Sequence, residues 1–105
     1  MQPEAKKILE DTYKILEERG WCQGVMQKVD GRVCLQGAFE AAVGADMYDV
    51  FVSDVQPCAQ EAWTAVRYAV ADVNGGLHQA PHHWNDEPHR TVEDVKLVLK
   101  KAIES

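Results

Sequence analysis

Three stretches of this chain repeat apolar residues at three- and four-residue spacing, each between helix punctuation marks, and this commits most of the sequence to amphipathic helices. In the first, Ala5, Ile8, Leu9, Thr12, Ile15 and Leu16 share one face. Pro3 stands in the first turn, where a missing N–H costs nothing, and Gly20 supplies the stop. Glu10 and Lys14 lie in the favourable i, i+4 order. In the second, Pro57 opens a helix whose inner stripe is Ala59, Ala62, Trp63, Val66, Val70 and Val73, and Asn74-Gly75-Gly76 ends it. In the third, Thr91 is the cap, Asp94 takes the capping-box position, and Val92, Val95, Val98, Leu99 and Ala102 face inward.

The segments between these helices are shorter and less regular. Leu35, Ala38, Phe39 and Ala42 predict a short helix closed by Gly44. Gly37 interrupts it at a cost of about 1 kcal/mol relative to Ala, which implies the close approach of another backbone. Val25, Gln27 and Val29 alternate, Asp30-Gly31 follows, and Val33 and Leu35 resume the alternation. That pattern predicts a two-stranded β-hairpin with a type I′ turn, laid against the helices. Tyr48, Phe51, Val52 and Val55 fit a short helix over Asp46–Val55, although the composition suits a strand equally. Leu77 to Arg90 carries all four histidines and Trp84 with little periodicity and reads as a loop. The expected fold is mainly α (α+β), with four to five helices around one core and one short hairpin.

At 105 residues the chain suits a single domain spanning 1–105, with enough buried surface for one core. The formal net charge of −6 opposes non-specific binding to nucleic acid or to an anionic membrane. No Lys or Arg falls between Val33 and Val66, whereas Glu40, Asp46, Asp49, Asp54 and Glu61 do. This is a solvated acidic surface or, more sharply, one made for a basic partner. Met1-Gln2-Pro3-Glu4 leads straight into a helix, and no apolar run reaches transmembrane length. Cys22, Cys34 and Cys58 are odd in number and unevenly spaced, which is no disulfide framework, so a reducing cytoplasm is expected.

Three runs carry a resemblance: Arg19-Gly20-Trp21-Cys22-Gln23-Gly24, then Gly31-Arg32-Val33-Cys34-Leu35-Gln36-Gly37-Ala38, then Trp84-Asn85-Asp86-Glu87-Pro88-His89-Arg90-Thr91 before the closing helix. Together they resemble a family of small actinobacterial and actinophage proteins that bear a domain-of-unknown-function label. The resemblance implies a fold and a compartment, and it admits a phage protein that binds a host protein. It implies no chemistry.

Two chemistries compete with a binding role. Cys34 lies near a helix start, where the dipole can lower a thiol pKa; His83 or His82 could serve as its base, and Asp86 or Asn85 could orient the imidazole. A cysteine between Val33 and Leu35 is more often a small core residue. His78, His82, His83 and His89 with a cysteine could in principle hold zinc, but their spacing matches no zinc motif, so no metal is expected. Asn74-Gly75-Gly76 has neither the lysine nor the spacing of a phosphate loop, and no cofactor is expected either.

Trp84, Asn85, Asp86 and Arg90 form the remaining constellation. They read as a loop tie, with Trp84 anchored in the core and Arg90 paired to Asp86, or as a recognition surface rich in hot-spot residue types. The leading expectation is a non-enzymatic module that binds a protein partner. The runner-up is a cysteine-dependent hydrolase or transferase centred on Cys34 with His83.

Overall fold

The computed structural model describes residues 1–45 and 57–105. The expectation for Asp46–Val55 lies outside the described residues. Among the described residues five helices follow in order: α1 Pro3–Arg19, α2 Leu35–Val43, α3 Pro57–Val73, α4 Pro81–Asn85 and α5 Val92–Glu104. The architecture is mainly α.

The three long stripes form the core. Ala5, Leu9, Thr12 and Leu16 of α1 are buried, as are Ala59, Ala62, Trp63, Val66 and Val70 of α3 and Val95, Val98, Leu99 and Ala102 of α5. Thr12 is a polar member of that stripe, and its hydroxyl is satisfied by donating to the Ile8 carbonyl at 2.7 Å. Helix α1 packs against α2, α3 and α5, and α3 packs along α5. Phe39 of α2 closes on Trp63 with ring centroids 4.8 Å apart. The ion pair along α1 is Lys7–Asp11, 3.0 Å, rather than one between Glu10 and Lys14.

The punctuation behaves as its chemistry dictates. Thr91 accepts from the Asp94 N–H at 3.3 Å and Asp94 accepts from the Thr91 N–H at 3.0 Å, a closed capping box. Gly44 ends α2 in the left-handed conformation. The close approach implied by Gly37 is present: a Cβ there would stand 2.1 Å from the Met26 carbonyl oxygen.

Two expectations fail. No β-hairpin is seen among the described residues. Val33 makes isolated bridges to Trp21 and to Gln27, and no ladder grows from either. A type I′ turn needs positive φ at both central residues, but only Gly31 has it (φ 97°). Asp30 instead turns its carboxylate to the Arg32 N–H (3.1 Å) and Nε (2.9 Å), an Asx-type closure. The Arg32 N–H, then its side chain and charge, hold the Asp30 carboxyl below its ordinary value. The remaining backbone groups are divided among several partners. Cys22 N–H reaches Val33, Val33 N–H reaches Gly20, and Cys34 N–H reaches Met26, so two strands cannot zip together.

The second failure is the loop reading of Leu77 to Arg90, which contains α4. A helix of five residues is too short to show a period, so its only sequence marker is Pro81 at the first turn.

Candidate functional site

Helix α4 is small but central to the region where the sequence motifs meet. Trp84 is buried (1% exposed), and Arg90 closes over it: the guanidinium lies 4.2 Å from the ring centroid and Nε donates to the Trp84 carbonyl at 2.9 Å. The expected Arg90–Asp86 pair is therefore not formed. Stacking on the indole and bonding its carbonyl engage the arginine instead.

Asn85 is fully buried and uses both ends of its amide. Oδ1 accepts from Trp21 Nε1 at 2.7 Å and from the Leu35 N–H at 3.1 Å. Nδ2 donates to the Cys22 carbonyl at 3.3 Å and to Asp86 Oδ1 at 2.9 Å. A buried amide tolerates burial only when its donors and acceptors are matched in this way. Around it, Gln23 Nε2 donates to the carbonyls of Asn85 (2.9 Å) and Glu87 (2.7 Å), and the Gly24 N–H donates to Asp86 Oδ1 (3.0 Å). Asn85 and Asp86 thus latch the segment Trp21–Gly24 onto the helical core.

Beyond that latch the chain runs out to solvent as the loop Gly24–Asp30. Val25 is 51% exposed, Met26 43%, and Val29 fully exposed. Three apolar side chains stand clear of the core on one loop. The underside is fixed as well, because the Met26 carbonyl accepts from the Cys34 N–H at 3.1 Å and rests on Gly37. A cavity of about 250 Å³ lies between this underside and the helices, lined by Gly24, Val25, Met26, Cys34, Gln36, His82 and Asp86.

Cys34 is the N-cap of α2. Its sulfur accepts from the Gly37 N–H at 3.3 Å, and the residue is buried. Burial pushes the thiol above its ordinary value of 9.0, against the smaller downward pull of the Gly37 and Gln36 N–H groups. Cys22 is raised likewise, chiefly by burial. The imidazole that lines the cavity beside Cys34 is that of His82, not His83. His83 lies alongside His82 with ring centroids 4.3 Å apart. Among the described residues no group of three or more His, Cys, Asp or Glu comes together as a metal site.

The motif residues therefore separate by depth. Trp84 and Asn85 are interior, Arg90 is half-buried, and Asp86 is exposed. Sequence reasoning missed Trp21, Gln23 and Gly24 as partners of Asn85 and Asp86. It also read Val25 and Val29 as strand residues. The only available signal was that Trp21 to Gly24 and Trp84 to Asp86 both fall outside helical periodicity.

What fold and site define is a small, mainly helical protein that displays a loop latched from beneath by a buried amide. The chain belongs to DUF6197, a family of unknown function, whose sequence profile matches residues 1–105. No curated protein and no solved structure matches the chain significantly.

Proposed function

We propose that this protein is a non-enzymatic interaction module that docks on a partner protein through the loop Gly24–Asp30. The observation that carries this reading is the exposure of Val25, Met26 and Val29 on a loop whose base is held by Asn85, Asp86 and Gly37. Apolar groups left in water favour any surface that covers them, at about 25 cal/mol per Å² of area removed from water. A loop already ordered loses little conformational entropy on docking, so more of that gain becomes affinity. On this reading Trp84 and Asn85 are positioning residues, and Asp86 and Arg90 lie at the edge of the contact. A reducing cytoplasm suits the three free cysteines. No described helix is long and apolar enough to cross a membrane. If the chain acts in a phage, the resemblance makes a host protein the partner.

The double variant Val25→Asp/Val29→Asp tests it. Both side chains are exposed, so the unfolding free energy should stay within about 0.5 kcal/mol of wild type. Affinity capture from the native host should then lose the proteins that wild type retains. Identical capture by both chains would remove the loop as the docking element.

A second reading, the cysteine-dependent hydrolase or transferase, is favoured by the cavity that joins Cys34, His82 and Asp86. Its chemistry requires thiolate at neutral pH. Burial of Cys34 predicts the opposite: with iodoacetamide the folded protein is modified at half-buried Cys58 at pH 7, and at Cys34 only above pH 9. The same raised value links to stability. Cys34 is neutral in folded and unfolded chains below 9.0, and above it only the unfolded chain ionises, so its contribution to stability falls as pH rises. Rapid alkylation of Cys34 at pH 7 would restore the enzyme reading.

A further inference from the structure

A second concavity lies where α2 and α3 meet the segment leading into α4. It encloses about 500 Å³ and is lined by Gln36, Trp63, Arg67, His78, Gln79 and His82, with Ala80 and Pro81 as apolar wall. The chain carries 17 Asp and Glu residues against 11 Lys and Arg, yet among the described residues no carboxylate lines this groove. The carboxylate of Glu40 accepts from Gln36 Nε2 at 3.4 Å and that of Glu87 from Gln79 Nε2 at 3.0 Å. The amides, not the acids, therefore line the groove.

Arg67 is the distinctive residue. Three of the four arginines are engaged within the fold: Arg19 bonds the Gly31 carbonyl, Arg32 bonds Asp30, and Arg90 bonds and covers Trp84. Arg67 shows no such bond among the described residues, and it is exposed on the groove wall. A guanidinium offers five N–H donors in a planar fork that matches two oxygens of one oxyanion. His78 and His82 add ring N–H donors even when neutral. His78 is set in place edge-on to Tyr68, with centroids 5.8 Å apart. The larger groove near the N-terminus lacks this character, because it contains Glu61 and Asp72 and its Lys101 is already paired to Asp72 at 2.8 Å.

We infer that this groove binds a small anionic ligand through a carboxylate or phosphate group held by the Arg67 fork, with its apolar part against Ala80, Pro81 and the edge of Trp63. The volume is in the range that takes a small molecule. The site goes beyond the interaction reading and rests on different side chains. The exposed loop residues Val25 and Val29 take no part in it, so either proposal can fail alone.

The test is a nitrogen-15 NMR titration of the full chain with two separate probes, inorganic phosphate and benzoate. The expected result is saturable shifts confined to Gln36, Gln79, the Trp63 indole and the Arg67 side chain. Saturation by phosphate alone assigns a phosphate-bearing ligand, and saturation by benzoate alone assigns a carboxylate with an apolar body. Either result supports the site. Arg67→Gln should weaken binding at least tenfold at an unchanged melting temperature, and Arg67→Lys should weaken it less, since it keeps the charge and loses the fork. Lys101→Gln, in the other groove, should leave it unchanged. The proposal is overturned if neither probe saturates below about 10 mM, or if Arg67→Gln binds as wild type does.

Discussion

Replacing Asn85 by Ala lowers the unfolding free energy by about 3–5 kcal/mol, the largest effect expected of any polar substitution here. The change strands the Leu35 N–H and the Trp21 indole N–H, together with the Cys22 carbonyl. Each buried polar group left without a partner costs about 1–3 kcal/mol, and the missing side chain adds a small cavity. Asn85→Asp does not rescue the site. It keeps the two accepted bonds, but its second oxygen meets Asp86 Oδ1 and the Cys22 carbonyl, where Nδ2 donated before. Charge is then buried against an acceptor and another carboxylate. Urea unfolding of both variants provides the measurement. With a slope of about 1–2 kcal/mol/M, a midpoint lower by about 2 M is expected for Asn85→Ala. A midpoint within about 0.3 M of wild type, equivalent to less than about 0.6 kcal/mol at that slope, would show that the latch bonds contribute little.

Gly37→Ala is the second large effect, and its sign opposes the rule for helices. In an ordinary helix interior this change stabilises by about 1 kcal/mol. Here the added Cβ meets the Met26 carbonyl oxygen at 2.1 Å and its carbon at 3.0 Å, and backbone cannot swing aside as a flexible side chain can. The loop must lift off α2, which breaks the Cys34 N–H bond to Met26. Overpacking of this kind costs about 1–3 kcal/mol and the lost bond about 1 kcal/mol more. Set against the helical gain of about 1 kcal/mol, a net loss of about 1–3 kcal/mol is expected on thermal or urea unfolding. A gain in stability would show that the loop rests on α2 less closely than its geometry indicates.

These two residues show where sequence reading succeeds and where it stops. Gly37 was legible because a glycine inside an apolar helical stripe has a known cost, and a close backbone approach accounts for it. The long helices and the Thr91–Asp94 box were legible for a related reason, since their partners lie within one or two turns. Asn85 was visible only as part of an irregular stretch. Apart from the adjacent Asp86, its side-chain partners stand 50 to 64 residues away along the chain, and no local pattern encodes such pairings. The Val25-Gln27-Val29 alternation misled for a different reason. Alternation signals a strand when one face is buried, and here both valines are in water. Arg90 had two acceptable partners, the Asp86 charge and the Trp84 ring with its carbonyl, and only the folded geometry selects between them. His82 and His83 are neighbours in sequence, so the assignment of one to the Cys34 cavity depends on the turn of a five-residue helix.

The distance spanned by the latch also sets an order of events during synthesis. A chain emerging from the ribosome exposes α1, the loop and α2 long before residue 85 appears. Until then the Trp21 indole and the Leu35 N–H lack their shared acceptor, and the segment from Trp21 to Asp30 rests only on its contacts with Val33, Cys34 and Gly37. The helical stripes can collapse early on local contacts, whereas closure of the latch waits for contacts of high sequence separation. The three apolar side chains of the loop thus gain their full anchorage only once α4 has emerged. Any product shortened before α4 carries them on a loop that lacks the bonds to Asn85 and Asp86. The presence of α4, rather than of the loop itself, decides whether that surface is presented in one shape.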